Sequence, residues 1–132
     1  MKLKYFLFLF AASTFVLMAF TFVNDNLSQP TYSYNLDGAF NGGGGKYYFR
    51  QLGNDILWYG EEDAVSPTWS NVGHGIIKKN IITAKWADVP KGSIMQSGTL
   101  RIEIKSNDEM ILLEQKGDFF ATDSWTRIVS EQ

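Results

Sequence analysis

Thr99-Leu100-Arg101-Ile102-Glu103-Ile104-Lys105 changes character at every step: Leu100, Ile102 and Ile104 are aliphatic, and the residues between them are polar. A period of two is how a strand reads when one face is buried and the other is wet. Ile81 to Asp88 repeats the pattern, with Ile82, Ala84 and Trp86 set against Thr83 and Lys85. On either side lie further short runs rich in aromatic and β-branched residues, separated by Gly, Asn, Asp or Pro. Eight runs are predicted: Leu36 to Asn41, Lys46 to Leu52, Asp55 to Glu61, Trp69 to Ile77, Ile81 to Asp88, Thr99 to Lys105, Met110 to Gln115 and Asp123 to Val129. No segment after Val23 keeps a 3.6-residue period long enough to specify a helix.

The connections set the topology. Gly53-Asn54, Lys79-Asn80 and Asn107-Asp108 are tight polar turns of the hairpin kind. Parallel neighbours would need crossovers of about a dozen residues or more, and few connections are that long. An antiparallel meander of this length removes its unpaired edges by closing, so the expected fold is all-β, an eight-stranded up-and-down barrel spanning residues 35–132. Alternation places Tyr47, Phe49 and Gln51 on one face, with Ile56, Trp58 and Gly60 on the equivalent face of the next run. Gly60, Gly73, Gly75 and Ala84 fall on or near this inner set, where small side chains let a narrow barrel curve or leave room inside.

Ahead of the domain, Met1-Lys2-Leu3-Lys4 precedes an apolar stretch from Tyr5 to Val23 broken only by Ser13, Thr14 and Thr21. A basic head before an apolar run is the pattern of an export signal. Its roughly 19 residues also suffice to cross a hydrocarbon layer of about 30 Å, so an uncleaved anchor is the alternative. Either way the positive-inside rule leaves the rest of the chain outside, periplasmic or extracellular, with membrane contact only through residues 5–23. Residues 24–34, polar and broken by Gln29-Pro30, read as a spacer. Without Lys2 and Lys4, ten basic and fourteen acidic side chains remain, a balance of about −4. With no basic stripe to neutralise phosphates, nucleic acid is not an expected partner. Cysteine is absent, so there is no disulfide frame, thiolate metal site or lipidated N-terminal cysteine, and no metal or cofactor is expected.

Gly38-Ala39-Phe40 at the start of the first run, seven further antiparallel runs, and Trp125-Thr126-Arg127 in the last together resemble the calycin barrels, the group of avidin and the lipocalins. The resemblance implies that Gly38, Phe40 and Arg127 are structural, with Arg127 stacked over the Phe40 ring at the barrel's shut end. Phe40 stands where that family usually has Trp, the lipocalin disulfide cannot form, and avidin's polar biotin contacts have no matching positions. What is implied is a barrel with an interior, and neither biotin nor lipid as ligand. The string from Tyr47 to Asn54, with Trp58-Tyr59-Gly60, Trp69-Ser70-Asn71-Val72 and Trp86 to Gly92, is also similar to a set of small uncharacterised exported bacterial proteins.

The inner rings Tyr47, Phe49, Trp58, Trp69, Trp86 and Trp125, with Gln51 and Asn71, are the candidate ligand-binding set. They would line a pocket for a small apolar or aromatic molecule or simply fill the core; eight strands seldom leave space for both. A continuous cavity favours the first reading. A solid interior favours a protein-interaction or inhibitor module working through loops and the outer apolar side chains Tyr48, Leu57 and Tyr59. No catalytic set emerges. Gly42-Gly43-Gly44-Gly45-Lys46 fails as a phosphate loop because Phe40 replaces its first glycine, Tyr47 its hydroxyl residue, and a strand its helix, leaving a flexible hairpin tip. His74, the only histidine, falls on the outer face with Val72 and Ile76, and Glu61-Glu62-Asp63 reads as a solvated loop. The serines lack an acid–base partner and an elbow of glycines, and Asn26-Leu27-Ser28 fits a glycosylation acceptor. The loop from Asp88 to Ser97 is where an open barrel end would place recognition.

Overall fold

The computed structural model describes residues 33–129, so the apolar segment 1–23 and nearly all of the spacer lie outside the described residues. Eight strands run in order: β1 (Gly38–Gly42), β2 (Gly45–Leu52), β3 (Asp55–Glu62), β4 (Ser70–Lys78), β5 (Ile81–Asp88), β6 (Ser97–Ser106), β7 (Glu109–Gly117) and β8 (Ser124–Arg127). Each pairs antiparallel with the next, and β8 returns to β1 to close the barrel. The tight turns 53–54, 79–80 and 107–108 gather at one end. The longer loops 63–69, 89–96 and 118–123 gather at the other, with the Gly43-Gly44 tip.

Strand bounds shift from the sequence reading by no more than two residues, and three local departures have a visible cause. β1 begins at Gly38 because residues 33–37 turn across the shut end, where Leu36 is fully buried and its amide donates to Gln51 Oε1 at 3.0 Å. β8 ends at Arg127, although the Ile128 amide still reaches the Ala39 carbonyl. β7 carries a bulge: Ile102 pairs with Leu112 and Arg101 with Glu114, so Leu113 is the extra residue and stands half-exposed.

Cross-strand register explains how large rings fit a narrow barrel. Phe49 lies opposite Gly38, Tyr47 opposite Gly60, and Trp58 opposite Gly73. Trp86 has Gly73 on one side and Gly98 on the other. A Cβ on Gly60 would overlap the Tyr47 ring, and one on Gly73 the Trp58 ring. Each bulky side chain thus lies over a strand position with no side chain of its own.

At the shut end Arg127 performs the closure. Its guanidinium sits 4.6 Å from the Phe40 ring centroid, and Phe40 is fully buried. It donates to the carbonyls of Asp37 at 2.7 Å, Asn35 at 2.7 Å and Asn107 at 2.6 Å, and to Asp108 Oδ1 at 2.8 Å. Asp37 in turn accepts from the Gln51 amide and from Arg50, both at 2.6 Å. One side chain therefore ties the lead-in segment, the β6–β7 turn and the β1–β8 seam.

Arg127→Lys keeps the charge and loses the planar fork that reaches several acceptors at once. The expected loss is about 2–3 kcal/mol in urea-induced unfolding, the scale of charge-assisted bonds left unmade. Gly73→Ala, crowded by Trp58, costs about 1–3 kcal/mol by overpacking in the same assay.

Candidate functional site: an aromatic cup at the open end

The interior divides into two levels. Toward the shut end Leu36, Phe40, Ile56, Ile82, Ile102, Ile104 and Met110 pack without exposure above 2%. Over them lies a layer of rings. Phe49 meets Phe40 edge-on at 5.2 Å and Trp58 at 5.8 Å, and Trp125 meets Tyr47 edge-on at 5.9 Å and Phe120 at 6.0 Å. At these separations the rings are in contact with one another, and the layer forms a floor.

Above the floor the barrel opens into a cup of about 210 Å³, lined by Tyr47, Trp69, Asn71, Trp86, Asp88 and, from the loops, Ile94, Gln96 and residues 119–122. Trp86 and Phe120 form an edge-to-face wall at 4.7 Å, and Tyr47 and Trp69 a tilted pair at 5.9 Å. Phe119 stands on the rim, 70% exposed.

The loops around the mouth are tied down. Val89 N donates to Ser70 O at 2.8 Å and Ile94 N to Thr68 O at 3.1 Å, stacking the 89–96 loop on the 63–69 loop. Glu62 Oε2 accepts from the Thr68 amide at 2.6 Å and its hydroxyl at 2.8 Å. Lys91 reaches across to Glu61, and this contact with the Tyr59 hydroxyl holds the Glu61 carboxyl below the usual carboxylate range. The 118–123 loop dips inward because Gln115 Oε1 takes the Phe120 amide at 2.7 Å and Asp118 exchanges bonds with Ser97 at 3.0 Å each way. Phe120 and Thr122 are buried as a result.

Polar groups in the cup are few. Asn71 Oδ1 accepts from Trp58 Nε1 at 2.9 Å, and the Tyr47 hydroxyl is 2.7 Å from Thr122 Oγ1. Burial raises the Tyr47 pKa, opposed by its bonds to Thr122 and Asn71 and reinforced by the charge of Asp88. Asp88, only 8% exposed, closes the 89–96 loop: its amide donates to the Gln96 carbonyl at 2.7 Å and its Oδ2 accepts from the Gln96 amide at 2.9 Å. Its Oδ1 has no hydrogen bond among the described residues. Burial raises the Asp88 pKa, partly offset by the Gln96 amide and augmented by the like charge of Asp118. Trp86 Nε1 and Trp125 Nε1 are buried donors without a partner among the described residues.

The predicted binding set therefore separates by depth. Tyr47, Trp69, Asn71 and Trp86 line the cup, while Phe49, Trp58 and Trp125 belong to the floor. Gln51 is corrected: although its strand phase is right, it lies at the shut end, donating to the Gly53 carbonyl at 3.0 Å. The glycine run is more than a hairpin tip. A Cβ on Gly45 would overlap the Trp69 ring and one on Gly43 the Thr122 hydroxyl, and only Gly44, at φ 73°, faces open space. His74 pairs with Asp55 at 2.8 Å on the outer wall, remote from the cup. Asp88, Phe119, Phe120 and Thr122 escaped the sequence reading as site residues. The signal for Asp88 was present, since it continues the inward phase of Ile82, Ala84 and Trp86. No periodicity announces an inward loop.

No family model, curated protein or solved structure matches this chain, so the functional reading rests on geometry.

Because folding raises the Asp88 pKa, its ionisation costs stability that builds as pH rises above the ordinary value of 3.8 and is fully present above the folded-state pKa. Asp88→Asn, which retains an acceptor for the Gln96 amide, is expected to melt above the wild type at pH 7. The gap should close as pH falls below the ordinary aspartate value of 3.8, as read by thermal unfolding across that range.

Proposed function

We propose that this chain is an exported, non-enzymatic binding protein of the calycin type that holds a small aromatic molecule in the cup at its open end. The observation that carries the reading is an open, ring-walled space of about 210 Å³ standing on a floor of contacting rings. Ligand sites are concave and mostly apolar, with a few fixed polar groups, and the cup has this composition. Its volume is roughly seven water volumes, which suits one ring with a short substituent better than a lipid chain. The calycin assignment draws on the closed eight-stranded topology and on Arg127 over Phe40. Export draws on the basic head and apolar run of residues 1–23.

A second reading, a protein-interaction module, draws on the outer wall, where Tyr48, Leu57, Val72 and Ile76 are 39–47% exposed across β2, β3 and β4.

Native mass spectrometry of the protein purified from its own source separates the two: a co-purifying small molecule supports the cup, and a stoichiometric protein supports the wall. With indole as a neutral ring probe, calorimetric titration is expected to show one site. Phe119→Ala, at the exposed rim, should weaken that site roughly fivefold, on the scale of one ring contact of ~1 kcal/mol, while Leu57→Ser on the outer wall leaves it unchanged. Equal effects of the two substitutions would move the site off the cup.

A further inference from the structure

The charge of Asp88 has no structural explanation. Closing the 89–96 loop requires an acceptor for the Gln96 amide at 2.9 Å, and a neutral side-chain amide would supply one without burying a charge. Asp88 is nevertheless a carboxyl group, more than nine-tenths buried, lining the cup with its second oxygen unpaired among the described residues. Buried carboxylates are ordinarily matched by a cation. Among the described residues the neighbouring formal charge that acts on it is Asp118, of the same sign, and no lysine, arginine or histidine of these residues lines the cup. The same cup is lined by Tyr47, Trp69, Trp86 and Phe120, whose ring faces carry the negative end of the aromatic quadrupole. The formal charges at the cup and the faces of the rings that line it carry the same sign.

We propose that the cup recognises a small organic ammonium ion, its positive nitrogen on the free Asp88 oxygen and its body among the Trp69, Trp86 and Phe120 rings. This rests on the cup being a binding site and adds the charge of what it binds. An anionic ligand would meet Asp88 and Asp118 together. A neutral ring would leave the buried carboxylate as unmatched as before. Of the groups that face Asp88, Asp118 comes from the 118–123 loop and the Tyr47 phenol from β2. Burial keeps that phenol neutral, so neither group substitutes for the missing cation.

The test compares three ring probes of nearly one shape, benzylamine, benzyl alcohol and benzoate, by calorimetric titration of the full chain at pH 7. Benzylamine is expected to bind at one site at least about tenfold more tightly than benzyl alcohol, the scale of a charge-assisted bond reinforced by a cation over ring faces, with benzoate weakest. In Asp88→Asn the amine should fall to the level of the alcohol, whose own affinity stays within about twofold, which also shows that the variant is folded. Lowering the pH until Asp88 is protonated should erode binding of the amine, itself protonated throughout, and spare the alcohol. Equal binding of amine and alcohol, or an amine preference that survives Asp88→Asn, overturns the ammonium proposal while the cup reading stands. If none of the probes binds, both are lost.

Discussion

The seam between β1 and β8 is the constraint on which the barrel depends. It is short, aligning Phe40 with Arg127 and Asn41 with Thr126, whereas β2 and β3 align eight residue pairs. So brief a ladder is a weak place to close a cylinder. The Arg127 guanidinium compensates by joining elements that the ladder cannot reach. It covers Phe40 and holds the carbonyls of Asn35, Asp37 and Asn107, so the lead-in segment, the β6–β7 turn and the seam become one unit. A cation shared among backbone carbonyls, the Asp108 carboxylate and a ring face is well suited to this position, because each contact offsets part of the cost of removing its charge from water.

Closure in turn decides what the interior can hold. Rings lie over glycines on neighbouring strands, so the lower barrel buries its apolar residues without a disulfide among the described residues, and the cup lies above Trp58 and Trp125. The sequence posed core filling and pocket lining as alternatives for one set of aromatic residues. The barrel does both, at different heights. Depth along the axis assigns a ring to floor or wall, and depth is set by the stagger of the strands.

Much of this was legible from spacing. The strand runs, the hairpin turns and the inward phase of Tyr47, Trp58, Ile82 and Leu100 follow from alternation, and the order of pairing follows from short connections. The position of Arg127 over Phe40 came from the resemblance to calycin barrels and agrees with the contact seen. Three things were not legible. Gln51 is in phase with Tyr47 and Phe49, and phase carries no information about which end of a strand is sealed. The Leu113 bulge requires knowledge of the partner strand. Phe120 and Thr122 sit in a loop, where burial depends on the Gln115 and Ser97 contacts and no period applies.

The segments flanking the barrel leave by the same pole. Residues 33–37 cross the shut end toward β1, and the chain beyond β8 departs beside Ala39. Both described ends, residues 33 and 129, therefore lie at the pole opposite the cup. The rim of the cup is thus built from the 63–69, 89–96 and 118–123 loops and the Gly43-Gly44 tip, with neither described end of the chain beside it.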